Sequence, residues 1–132
     1  MKLYSPVVAG IAYFVLGGLW FTPLFGKAWD KAVGFNRPPK WRPALAYYLG
    51  PFIGCMVAAF AMYALLRLSG ATTLNRALLV GAVSGFGFSA CVTAVNAISP
   101  NVPRPALYAA VVGSYHFCGA LLSAVIIYWF GR

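Results

Sequence analysis

Read for its apolar and polar positions, the chain falls into four long apolar runs, at residues 5–24, 43–66, 74–98 and 106–130, with most of its charge in the links between them. Each run reaches the roughly 20 residues needed to cross a hydrocarbon core. A spanning segment finds no water for its backbone N–H and C=O groups, so these must pair within the segment. Helices do this, and the period-two alternation of a transmembrane barrel is absent. The pattern predicts an all-α fold: a four-helix transmembrane bundle forming one domain over residues 1–132.

The links carry their own pattern. Phe25, Ala28, Trp29, Ala32 and Val33 follow a three-then-four spacing, with Lys27, Asp30 and Lys31 on the opposite side and Gly34 placed as a stop. This predicts a short amphipathic helix over 26–34, lying in the membrane interface between helices one and two, with Trp20, Phe21 and Trp41 as aromatic anchors. The tight link 67–73 forces helices two and three into an antiparallel hairpin. Pro100, Pro103 and Pro105 break the chain before helix four, and Pro51 is expected to kink helix two.

Composition agrees with the pattern: 62% hydrophobic and 8% charged residues lie far outside the balance of a water-soluble fold. The net charge of +9 raises nucleic acid as a partner, but the basic residues flank apolar runs instead of forming one basic face, so membrane lipids are the expected partner and nucleic acid is not. Lys2 ahead of an apolar run resembles a signal peptide. The run contains Trp20 and Phe21 with no small-residue cleavage site, so a retained first helix is expected. One side of the bundle carries Lys27, Lys31, Arg37, Lys40, Arg42 and Arg104, and the other Lys2, Arg67, Arg76 and Arg132. The positive-inside rule then leans toward non-cytoplasmic termini in a multi-pass protein.

Small residues recur at every fourth position, as Ala46, Gly50, Gly54 and Ala58 in helix two and as Ala77, Gly81, Gly85 and Ser89 in helix three; Gly10, Gly17 and Gly18 add a third strip. In lipid, close van der Waals approach of such strips drives helix association. Two outcomes follow from the count: a homo-oligomer, or one bundle that uses every strip internally.

Polar groups within the spans are costly and tend to mark function. At about 100° per residue, Gly81, Gly85, Ser89, Thr93 and Asn96 share a face of helix three, while Gly113, His116, Gly119, Ala120 and Ser123 share one of helix four. An antiparallel pairing of the two brings His116 to the depth of Ser89, so Ser89, Thr93, Asn96 and His116 are the candidate polar site, with Tyr13 near it. His116 is the sole histidine. It serves either as an interhelical hydrogen-bonding group or as a functional one that holds a ligand or relays a proton.

What the spans lack narrows the chemistry further. The sole acidic residue is Asp30, in the interfacial helix, so no spanning segment holds a carboxylate. Paired-carboxylate catalysis, a Ser-His-Asp triad and export driven by a membrane-embedded Glu all lose their essential group. Cys55, Cys91 and Cys118 fall in three different runs, without disulfide or metal-ligand spacing, and one histidine offers haem a single axial ligand. No enzymatic activity, cofactor or metal site is expected.

The run Gly18-Leu19-Trp20-Phe21-Thr22-Pro23-Leu24-Phe25-Gly26-Lys27-Ala28-Trp29, followed by Gly34-Phe35, resembles the signature of a bacterial four-helix membrane family known as domain-of-unknown-function family 1761. The resemblance implies four helices, a bacterial inner membrane and a shared first loop marked by Trp20, Pro23, Phe25, Gly26, Lys27 and Trp29; it implies no activity. Physically the signature reads as a corner, with Pro23 ending helix one, Gly26 permitting the turn, and Trp20 and Trp29 flanking it at headgroup level. The expected function is therefore non-enzymatic: binding or passing a small molecule, ion or lipid through a neutral interhelical site. The alternatives are a structural or regulatory subunit docked on a larger membrane partner, and a dual-topology small-ion channel.

Overall fold

A computed structural model describes residues 2–132, and among these every regular element is helical. The elements are α1 (Ser5–Leu24), α2 (Gly26–Val33), α3 (Ala46–Leu68), α4 (Leu74–Ala97) and α5 (Pro105–Phe130). All but α2 are long and apolar enough to cross a membrane. Their outer faces present Ile53, Val57, Leu79, Phe86 and Val95, a surface whose natural solvent is hydrocarbon.

Helix ends follow local chemistry. Gly34 closes α2 in the left-handed region at φ 70°, where a Cβ is disfavoured, and the Phe35 N–H reaches back to the Asp30 carbonyl. Gly70, at φ 59°, turns the chain between α3 and α4, and Thr73 caps α4 by accepting the Arg76 N–H at 3.3 Å. Helix α3 starts at Ala46, so the stretch expected as its first turn, from Pro43, belongs to the preceding link. The Lys2 N–H donates to the Gly131 carbonyl at 2.9 Å, which holds both termini at one end of the bundle.

Helix α5 is the centre. It packs against α1, α4, α2 and α3, and it supplies Val111, Val112, Tyr115, Ala120, Ala124 and Ile127 to the buried interior. Helix α3 leans on α1, yet α3 and α4 scarcely touch although one short turn joins them. The bundle is therefore open along the α3/α4 seam, with α1 and α5 behind it.

Two stretches wind as wider π-helical turns: Trp20–Leu24 at the end of α1, where the Phe25 N–H donates to the Trp20 carbonyl at 2.7 Å, and Val83–Ala90 in the middle of α4. A π turn holds an additional residue, so it rotates every later side chain by about one residue's worth, ~100°. Gly81 and Gly85 pack on Ala124 and Ala120 of α5 as four-residue spacing predicts. The next small contact is Ala90 against Gly113, five residues after Gly85.

Candidate functional site

The site is built from α1 and α5. Tyr13, 5% exposed, packs directly against Gly119; a Cβ there would clash with its ring. Glycine at 119 thus lets the phenol cross α5 and place its hydroxyl 2.7 Å from His116 Nδ1. The direction of this bond follows the ring tautomer: when the Tyr13 O–H donates to Nδ1, the ring proton sits on Nε2. Beside it, the Tyr115 hydroxyl sits 3.3 Å from Cys55 Sγ and donates to the Tyr13 carbonyl at 3.4 Å. Gly17 makes room for that hydroxyl, since a Cβ there would approach it to 2.7 Å.

This assembly floors a cavity of about 330 Å³ on the α3/α4 seam. His116, Tyr13, Tyr115 and Ser89 line it from behind and beside, with Cys55 and Ala58 of α3 opposite. A second pocket of about 230 Å³ shares Tyr13, Ala58 and Ser89 with the first and continues toward Leu65 and Ser123. The two form one slot along α3. Ser123, 1% exposed, lines its far end, and its hydroxyl has no hydrogen-bond partner. No residue lining either pocket carries a fixed charge.

Of the four predicted polar residues, the structure brings two together. Ser89 and His116 share the cavity, although the hydrogen bond of His116 goes to Tyr13. Thr93 donates to the Ser89 backbone carbonyl at 2.7 Å and lines neither pocket, and Asn96 is exposed outside both. The π turns of α4 are the cause: they rotate the residues after Ser89 off the face that a uniform helix would give. Sequence reasoning did not single out Cys55 or Tyr115. Their signal lay in pairing across helices, with Gly17 opposite Tyr115, which no single-helix periodicity reveals.

The corner after α1 is built differently from the expected interface anchor. Trp20 turns inward, donates from Nε1 to the Val111 carbonyl at 2.9 Å and packs at a tilt on Phe25, with 4.8 Å between ring centroids. It latches α1 to α5. Helix α1 also runs past Pro23 to Leu24, because the π turn absorbs the proline. Gly26 is required by close approach, as a Cβ would lie 2.8 Å from the Phe21 carbonyl. Lys27 stays exposed, while Trp29 packs edge-on to Phe21 and, with Trp41 and Tyr47, lines a separate aromatic pocket of about 320 Å³. At its rim Arg37 donates to both oxygens of Asp30, at 2.7 and 3.0 Å, and these hydrogen bonds hold the guanidinium pKa above its ordinary value.

The three strips of small residues are used unequally. Gly10 and Gly17 are filled by α3 and α5, and Gly81 and Gly85 by α5, whereas Gly50 and Gly54 have nothing within 4 Å of where a Cβ would stand. The described residues contain no cluster of three side chains able to hold a metal ion. The cysteines are all free, with Cys55 buried and Cys91 exposed.

A helical bundle with four apolar spans and an outer surface of aliphatic and aromatic side chains defines the class: a small multi-pass membrane protein. Within that class the chain belongs to the family described as "Protein of unknown function (DUF1761)", whose sequence model matches residues 5–128. Neither the curated proteins nor the solved structures include a match to it.

Proposed function

We propose that this protein is a non-enzymatic, membrane-embedded binding protein that takes a small lipophilic molecule from the bilayer through the α3/α4 seam. The observation that carries this is the His116 ring, fixed through Nδ1 by Tyr13 while it lines a cavity between two helices that barely meet. An apolar slot with a few convergent polar groups is the usual form of a small-molecule site. The absence of carboxylates from both pockets supports binding over acid–base chemistry.

The test is photolabelling in phosphatidylcholine nanodiscs with a ten-carbon alkane bearing a terminal diazirine, followed by peptide mapping. Adducts are expected on His116 and Tyr13. They should disappear in Ala58→Trp, which fills the slot, while adducts on outward Leu79 persist. Labelling confined to outward-facing residues would refute the proposal.

A further inference from the structure

The slot contains three groups able to donate a hydrogen bond that meet no protein acceptor. The Tyr13 hydroxyl and His116 Nδ1 share one hydrogen bond, so one donor of the pair is left over at the cavity, and it is Nε2–H in the tautomer where the phenol donates. The Ser89 hydroxyl, shared by both pockets, makes no hydrogen bond among the described residues. Ser123 Oγ is buried and unpartnered. By contrast, the hydroxyls of Ser84, Ser114 and Thr93 all donate to backbone carbonyls of their own helices, the ordinary way of satisfying such groups in lipid. The three unpaired donors are therefore a local departure, and they face one space. His116 and Ser123 are seven residues apart on one face of α5, about 10 Å along the axis.

Donors without acceptors select for a ligand that accepts. A cation would meet no carboxylate there. An anion would meet no fixed positive charge, and an uncompensated charge in hydrocarbon is prohibitively expensive. What remains is a neutral acceptor on an apolar body. Depth narrows the source, because His116 lies eleven residues into α5, about 16 Å from its start. The ester carbonyls of phospholipids stay at headgroup level and do not reach it; a freely partitioning lipophile does.

Resting on the binding function proposed above, we infer that the slot recognises an uncharged lipophile bearing a carbonyl group. The carbonyl oxygen accepts from His116 Nε2–H and the Ser89 hydroxyl, the two donors that share the first pocket, and the chain extends along Ala58 and Leu65; Ser123 Oγ, buried at the far end, is not reached by the carbonyl and stays unpaired.

The experiment is competition against the diazirine label on His116, comparing 2-undecanone with undecane at equal mole fraction in the bilayer. The ketone should displace label at about tenfold lower content, the scale of a hydrogen bond made in place of a buried donor left unpaired. In His116→Phe and, separately, Ser89→Ala, read through the Tyr13 adduct, the advantage should shrink toward parity. In protein labelled with 15N at its one histidine, the ketone should move the Nε2 resonance more than the Nδ1 resonance. Methyl decanoate and a decyl-substituted benzoquinone, run alongside, separate ester from quinone as the preferred carbonyl. Equal displacement by ketone and alkane in the native protein overturns the carbonyl inference and leaves lipophile binding standing. Displacement by none of the compounds overturns both.

Discussion

Ser123 is the residue whose chemistry is least settled by the protein itself. Its hydroxyl is buried in a membrane span with no partner, and an unmade buried hydrogen bond costs roughly 1–3 kcal/mol. Replacing it with alanine removes that penalty and almost no volume. Ser123→Ala should therefore stabilise the ligand-free protein by about 1 kcal/mol, read from unfolding in mixed micelles as denaturing detergent is added; a loss of stability would mean that the hydroxyl is satisfied. At this scale the sequence was partly legible. His116 was visible as a lone titratable group in an apolar run, and Ser123 as its neighbour on one face of α5. Invisible was the partner of each: Tyr13 reaches His116 only because Gly119 removes a Cβ from its path, a relation between two helices that neither helix records alone.

At the scale of elements, the corner after α1 departs most from its expected role. Trp20 has the position of an interface anchor, and an indole at headgroup level would bond to water or lipid. Instead its N–H meets the Val111 carbonyl, from the first residue of the π turn that carries the helix past Pro23. Trp20→Phe keeps an aromatic ring and removes the donor. Interhelical hydrogen bonds in membranes are worth about 1 kcal/mol, so a loss of that size is expected in the same unfolding measurement, and no loss would show that the indole N–H contributes nothing. The element count, the hairpin and the amphipathic α2 were legible because bilayer thickness and helical periodicity write them directly into sequence. The π-helical stretch of α4 was not: Gly85-Phe86-Gly87-Phe88-Ser89-Ala90 offers no single residue that announces an extra residue per turn. That one irregularity moves Thr93 and Asn96 out of the site and puts Ala90 in the helix contact.

At the scale of the whole molecule, the proposed function follows from an asymmetry of packing. Helix α5 is surrounded, α3 and α4 are joined but apart, and the space between them ends on a histidine whose orientation is fixed from behind. Such a bundle exposes its polar centre sideways to the bilayer. The central claim is that a molecule dissolved in hydrocarbon reaches His116, and the single histidine makes that directly observable. In bilayers with perdeuterated acyl chains, protein carrying 15N-labelled histidine and tryptophan would be given protiated decane, and magnetisation transfer from its protons measured by solid-state NMR. Exposed Trp129 serves as the control that decane is in contact with the bundle. Transfer to the His116 ring as well as to the Trp129 indole is the predicted result; transfer to Trp129 alone would contradict the account.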